Sequence, residues 1–304
     1  MPGLTHPRTA AIVGAGPAGL NLLAALLKAE TFEQIDVYES APAPFGLVRY
    51  GVAPDHPKTR GIARVLAAGF GSARARLLGN VHVGVDVTLD ELRSGYDAVV
   101  FASGMRGDRR LVIPGEDLDG SFGASELVDW YTGHPEAGPI ELPVGLRSAA
   151  VIGAGNVALD VARLLTRDPK SLHTTSMPRH VVDVLTASTL TDVHLIARRG
   201  PAFARFTSPE LHEIGDLEGV DVVADPADVV LDDADRAELE RHRQGKVTVK
   251  VLGEWLDRQP GDASRRIHFH FWRRPVRILG SDQVNGVELA PTRGEGEPLT
   301  IPVE

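Results

Sequence analysis

A chain of 304 residues is long enough for two domains, at roughly 150 residues each. Hydrophobic residues make up 43% and charged residues 24%, which excludes a wholly disordered chain. The 41 acidic and 32 basic side chains leave a net charge of −9, which excludes a general nucleic-acid coat because phosphate binding needs a positive field.

The chain contains no cysteine. Disulfides, thiolate zinc sites, Cys-ligated iron–sulfur clusters and CxxC chemistry are therefore excluded, and any redox role must rest on a bound cofactor. Residues 1–9 hold no long apolar core, and no run approaches about 18 uninterrupted apolar residues. Neither a signal peptide nor a membrane span is expected, and a soluble cytoplasmic protein fits best.

In chain order, the first element is a buried parallel strand, Ala10-Ala11-Ile12-Val13, which runs into Gly14-Ala15-Gly16-Pro17-Ala18-Gly19 and then an Ala/Leu-rich helix to Ala29. This is GxGxxG between strand and helix. Gly14 permits the tight turn, Gly16 lets a pyrophosphate approach the backbone, and Gly19 lets helix and strand pack closely. The helix N-terminus then offers free N–H groups to phosphates. Residues 35–39 form the next strand and end in Glu39, twenty residues past Gly19, where a carboxylate accepts from ribose hydroxyls. The bland alternative is a strand–helix turn with chance glycines and a surface glutamate.

Residues 41–57 hold several prolines and glycines and are loop by chemistry. Residues 81–85 are expected to form a strand, and residues 98–102 a further buried strand ending at Ser103-Gly104. Residues 113–116 mark a turn near a domain crossing. The strand–turn–helix pattern then recurs: Ala149-Ala150-Val151-Ile152 leads into Gly153-Ala154-Gly155-Asn156-Val157-Ala158, a GxGxxA turn. The strand that follows, residues 193–197, ends not in an acid but in Arg198-Arg199. A guanidinium pair there would clamp a 2′-phosphate, favouring NADP over NAD; a solvated arginine pair is the alternative. Residues 225–240 are acidic and expected to be a surface helix. Residues 265–272 alternate as a strand, and residues 299–303 look like an edge strand.

Two such turns with different acceptors suggest a flavin dinucleotide at one and a nicotinamide dinucleotide at the other. The fold class expected is α/β, with two Rossmann-like dinucleotide-binding domains of glutathione-reductase-like architecture. Residues 1–105 would form an FAD-binding domain, incomplete at its C-terminus, and residues 106–304 an NADP-binding domain.

Phe45-Gly46-Leu47-Val48-Arg49-Tyr50-Gly51-Val52-Ala53-Pro54-Asp55-His56-Pro57-Lys58 resembles the signature of adrenodoxin-reductase-type ferredoxin–NADP reductases. The resemblance continues through residues 79–84, 113–118 and 128–135, resumes at Gly155-Asn156-Val157-Ala158-Leu159-Asp160-Val161-Ala162-Arg163, and closes with residues 198–201 and 206–211. It implies an FAD-dependent oxidoreductase that passes electrons between NADPH and a ferredoxin, a small acidic iron–sulfur protein, by hydride transfer between nicotinamide and flavin N5. By position, Ala18, Glu39, Leu47 and Val83 match FAD contacts. Gly155, Asn156, Val157 and Ala158 match the NADP pyrophosphate loop, Arg198 and Arg199 the 2′-phosphate clamp, and Glu210 an acid near the nicotinamide half. His56 and Glu213 match a His–carboxylate pair near the flavin.

Family members run about half as long again and return to the flavin domain through a segment with a Gly-Trp motif; this sequence has no Gly-Trp dipeptide. Ala154 stands where an asparagine is common, and Pro209 precedes Glu210. A basic docking face for the ferredoxin would draw on Arg198, Arg199, Arg205, Arg265, Arg266, Arg273, Arg274 and Arg277. The electron-input module of a glutamate-synthase-like flavoprotein, or a truncated non-catalytic NADP-binding module, are the competing readings.

Overall fold

A computed structural model describes residues 8–105, 107–143, 145–258, 261–294 and 296–303. The chain divides into two compact units that interleave in sequence: Met1–Gly107 with Ser125–Pro139 and Thr175–Pro178, and Asp108–Ala124 with Ile140–Thr174 and Arg179–Glu304. Among the described residues, no helix is long and apolar enough to cross a membrane.

The first unit is built on a parallel sheet of four strands, β1 (Thr9–Val13), β2 (Gln34–Glu39), β3 (Ala75–Gly79) and β4 (Ala98–Phe101), in the order β3-β2-β1-β4. β1 is an almost continuous apolar run because both faces are covered. One face packs Ile12, Leu20, Leu23, Ile35 and Val37 into the core under helix Pro17–Ala29. The other places Ala11, Val13 and Leu92 against Tyr96 and Val99. With β2 and β4 on opposite sides of β1, the crevice beyond the carboxyl ends of these strands is the topological switch point where doubly wound sheets bind ligands.

The second unit carries a parallel sheet of β5 (Ser148–Ile152), β6 (Asp192–Ile196), β7 (Val220–Ala224) and β8 (Arg265–His270), in the order β5-β6-β8-β7. Its strand order differs from that of the first unit: the glycine-turn strand β5 lies at the sheet edge, and β8 inserts between β6 and β7. Leu159, Leu195, Phe206, Leu252, Ile267 and Phe269 are core residues on one face. An antiparallel meander of β9 (Arg273–Gly280), β10 (Val284–Pro291) and β11 (Leu299–Pro302) completes the unit.

Several expectations are corrected. Residues 81–85 are a turn, closed by the Asp86 carboxylate accepting from the His82 N–H at 2.7 Å, with only an isolated bridge between Val83 and Val87; the strand lies earlier, at β3. β4 is a sheet edge rather than a buried strand, with Phe101 54% exposed. The 41–57 loop contains one helical turn, Leu47–Tyr50. The acidic stretch is not one helix: Pro226 opens a 3₁₀ turn, Pro226–Val229, the chain extends at Val230, and a separate helix, Asp233–Arg241, starts from Asp232 as its cap. β8 stops at His270 because Trp272 takes a left-handed φ of 55°.

Candidate functional site

In the first unit, a cavity of about 810 Å³ opens at the carboxyl ends of β1, β2 and β4, a size typical of ligand sites. Gly14, Gly16 and Ala18 line it from the glycine turn, Glu39 from the end of β2, Leu47 from the start of the helical turn Leu47–Tyr50, and Val83 from the turn after β3. All six come from the predicted set. Gly14 has φ +109°, and a Cβ there would run into the Ala102 carbonyl. Gly16 instead faces open space, its nearest neighbour being the Gly46 Cα at 3.9 Å from an added Cβ. The helix that follows has no side-chain cap on its free N–H groups, so a phosphate can take that place.

Gly19 does not line the cavity. Its Cα packs under the turn, where an added Cβ would overlap the Gly14 carbonyl. Glu39 is held by its own neighbours: Oε2 accepts from the Ala15 N–H at 2.8 Å, and Oε1 accepts from the Ala41 N–H at 3.0 Å. Leu47 is 71% exposed at the cavity edge.

Sequence reasoning missed several lining residues. Gly46, at φ +45°, lets the loop touch Gly16, for an added Cβ would lie 2.9 Å from the Gly16 Cα. Tyr50 and His134 meet edge to face at 4.7 Å between ring centres. Ser125 and Asp129 arrive from helix Ala124–Thr132. The positive φ at Gly46 follows a glycine visible in the sequence; the others are joined only by tertiary packing.

In the second unit, β5 turns through Gly153 to Gly155 into helix Asn156–Thr166, whose N-terminus again lacks a side-chain cap. An added Cβ at Gly153 would sit 3.3 Å from that of Ala158, and none of the neighbours comes within 4 Å at Gly155. The turn is braced from the segment ahead of helix Ser208–Gly215. The Arg205 N–H donates to the Ala154 carbonyl at 2.9 Å, and the Asn156 side-chain oxygen accepts from the Thr207 N–H at 2.8 Å. Val157 is exposed beside it.

Arg198 and Arg199 are exposed just past β6. Glu210 lies in the first turn of helix Ser208–Gly215, and its Oε2 is buried without a hydrogen-bond partner among the described residues. Glu213, half exposed on the same helix, lies 3.6 Å from the buried Arg163 guanidinium, which also pairs with Asp160 at 2.8 Å. His56 belongs to the first unit, at the N-cap of the short helix Pro57–Arg60, with no side-chain cap bond of its own.

Several arginines expected on a docking face are engaged locally. Arg205 pairs with Glu238 at 2.9 Å. Arg265 donates to the carbonyls of Thr166 and Arg167, closing the C-terminal end of helix Asn156–Thr166. Arg266 faces Asp192 at 3.5 Å and Arg277 faces Glu288 at 3.9 Å.

The back face of the same sheet carries a histidine stack. His194 and His268 stack at 4.5 Å, the His194 Nδ1 and His270 Nε2 lie 3.0 Å apart, and His268 pairs with Asp192 at 2.7 Å. Burial first, and then the neighbouring histidines, push His194 and His270 down to about 4. Near the end of β8, burial pushes the Asp228 carboxyl up to about 6 despite the N–H of Phe271 donating to it.

A profile of the pyridine nucleotide-disulphide oxidoreductase family matches residues 8–226. The chain is 43% identical over 293 residues to the NADPH-ferredoxin reductase FprA of Mycobacterium tuberculosis, covering 93% of this chain and 63% of that protein. It is 37% identical to the mitochondrial NADPH:adrenodoxin oxidoreductase of Arabidopsis thaliana, covering 95% of this chain and 62% of the relative. A solved structure of Mycobacterium tuberculosis FprA in complex with NADPH superposes with a TM-score of 0.92 at 40% identity, over 98% of this chain and 69% of that one. The chain thus spans under two thirds of the length of the curated relatives named here.

Proposed function

Because the chain belongs to the pyridine nucleotide-disulphide oxidoreductase family, we propose that it is a flavoprotein oxidoreductase that passes electrons between NADPH and a ferredoxin through FAD. The observation that carries this reading is a pair of uncapped glycine turns, each joining a parallel strand to a helix. One has a carboxylate at the end of the next strand, and the other has two guanidinium groups there.

The residues fit both groups. In the first unit, which we assign to FAD, the open space over Gly16 and the free N–H groups of helix Pro17–Ala29 accept a pyrophosphate. Glu39 holds the turn and keeps acceptor capacity for a ribose. In the second unit, which we assign to NADP, Gly155 and the N-terminus of helix Asn156–Thr166 take the pyrophosphate, with Asn156, Val157 and Ala158 forming the wall of the turn. Arg198 and Arg199 select the 2′-phosphate, since guanidinium groups donate to phosphate in a fixed fork. The Glu210 oxygen that has no partner among the described residues accepts from the amide of the nicotinamide half. His56, in the first unit, and Glu213, in the second, are each assigned to handling a carboxamide or a flavin proton when the cofactors are bound.

When bound, the flavin and nicotinamide rings supply the electron-transfer chemistry, and the protein supplies alignment. A ferredoxin is the proposed acceptor, as the name of the Mycobacterium tuberculosis relative states for that protein; the name of the Arabidopsis thaliana relative gives adrenodoxin. Exposed arginines, Arg198 and Arg199 among them, would steer an acidic partner in a salt-dependent way.

The test is reduction of a ferredoxin by the FAD-reconstituted protein. NADPH is expected to support it far better than NADH, and Arg198→Ala with Arg199→Ala to narrow that difference. His56→Ala or Glu213→Ala should slow reduction of the flavin by about tenfold or more with flavin content unchanged. Equal rates with both nucleotides, indifferent to the arginine substitutions, would contradict the reading.

A further inference from the structure

The turn that carries Arg198 and Arg199 is fastened by residues that lie far along the chain. The Ala197 N–H donates to the His270 carbonyl at 2.8 Å, and the Ala197 carbonyl accepts from the Arg273 N–H at 3.1 Å. One residue further, the Arg198 carbonyl accepts from the Thr292 hydroxyl at 2.6 Å. The N–H of Thr292 in turn donates to the Trp272 carbonyl at 2.8 Å.

Trp272 completes the arrangement. Its indole lies so close to Gly200 that an added Cβ there would overlap the ring, with Nε1 at 2.8 Å; only glycine fits above it. Phe203 meets Trp272 edge to face at 6.2 Å, and the Arg199 guanidinium sits 5.0 Å over the Phe203 ring. Arg293 sits 4.7 Å over Trp272 and is tied at 3.0 Å to both Asp232 and Asp235. Arg293 is therefore committed to bracing the tryptophan. Arg199 rests on a ring, which orients its plane, and the Glu238 carboxylate lies within its electrostatic reach.

Two local costs concentrate in Trp272. Its φ of 55° is left-handed, a genuine outlier for a bulky side chain, and its Nε1 is buried with no hydrogen-bond partner among the described residues. Such strain persists where surrounding structure over-determines it, and it clusters at ligand-gripping segments. Two long exposed side chains lose much rotamer freedom on binding, so a fixed backbone beneath them lowers the cost of ordering them.

We infer that Thr292 and Trp272 are positioning residues that hold the Arg198–Arg199 turn in the form that discriminates a 2′-phosphorylated adenosine from an unphosphorylated one. The inference rests on the reading of the arginine pair as a phosphate site. Neither residue touches the ligand. Thr292 acts through the Arg198 carbonyl, and Trp272 through Gly200 and Phe203.

The experiment is calorimetric titration of the protein with 2′,5′-ADP and with 5′-AMP. The unaltered protein should prefer 2′,5′-ADP. Thr292→Val keeps the shape and deletes the hydroxyl, and it should weaken 2′,5′-ADP about tenfold while changing 5′-AMP less than about twofold. Thr292→Ser should restore the preference, and Trp272→Leu should reduce it as Thr292→Val does. A preference that survives in Thr292→Val, or an equal weakening of both ligands, overturns the inference while leaving the phosphate site intact. Equal affinity of the unaltered protein for the two ligands removes the phosphate site itself, and the clamp with it.

Discussion

The Glu39 carboxylate accepts the backbone N–H of Ala15 at 2.8 Å, so the acid at the end of β2 is bonded to the glycine turn at the end of β1. Its other oxygen accepts from the Ala41 N–H, which ties the start of the following loop to the same carboxylate. Glu39 is thus both a ribose acceptor in the proposed function and a strut for the turn that meets the pyrophosphate.

Removing that strut should cost stability and flavin together. Glu39→Ala leaves two N–H groups without their charged acceptor, a loss of about 2 kcal/mol. The urea midpoint should fall, and the protein should emerge from gel filtration with less FAD than the parent. Full flavin content at an unchanged midpoint would show that Glu39 does neither job.

Gly19 offers a sharper test of why the turn needs glycine. An alanine Cβ there would overlap the Gly14 carbonyl, so Gly19→Ala should destabilise the protein by about 3 kcal/mol or fail to yield folded protein. Gly95→Ala, in open space at the end of helix Leu89–Gly95, is the control. It should be neutral or stabilising by up to about 1 kcal/mol. The two variants reversing order would contradict the packing role.

The histidine stack predicts a pH dependence. His194 and His270 are held neutral down to about 4 by burial and then by neighbouring charge, from His268 on His194 and from His194, His268 and Arg273 on His270, whereas an unfolded chain protonates them near about 6.5. Between those values the unfolded state binds more protons, so stability is full above about pH 6.5 and declines as pH falls toward about 4. The decline is on the order of 3 kcal/mol for the two together after allowing for solvent screening. Asp228 opposes it: its carboxyl is raised to about 6, so acidification through that value relieves a penalty. Two imidazoles outweigh one carboxyl. The melting midpoint should drop between pH 6.5 and 4.5, and less so in His270→Gln. A flat midpoint over that window, or an equal drop in the variant, would contradict the assignment.

Glu210 should show a trade between stability and function. Its buried oxygen, unpartnered among the described residues, is unfavourable in the protein alone, so Glu210→Ala should raise stability by about 1 kcal/mol. The same substitution should slow NADPH-dependent reduction of the flavin. Lower stability with unchanged kinetics would show that Glu210 is structural.

Much of this architecture was legible because buried parallel strands are apolar runs that end in glycine. β1 and β5 both announce themselves in this way. β3 was not legible. Its sequence, Ala-Arg-Leu-Leu-Gly, carries no β-branched residue, and what secures it lies elsewhere: Arg76 donates to the buried Asp36 on β2, which also accepts from Tyr96 at 2.5 Å. Those bonds outweigh the effect of burial and hold the Asp36 carboxyl below its usual range. The site residues follow the same division. Gly14, Gly16 and Glu39 are set by local spacing, whereas Tyr50 with His134, and Arg198 with Thr292, meet across long stretches of chain. No periodicity encodes such pairs. The strand order of the second unit was likewise hidden, because β8 reaches its place between β6 and β7 only after two intervening helices.

The proposed function requires one chain to hold two different dinucleotides and to pass electrons from one to the other. The most direct measurement is anaerobic addition of NADPH to the FAD-loaded protein while the flavin absorbance is followed. The account predicts bleaching at a stoichiometry of about one NADPH per flavin, since each nicotinamide carries the two electrons a flavin accepts, with NADH much slower. A protein that retains FAD and binds NADPH but leaves the flavin oxidised would contradict it.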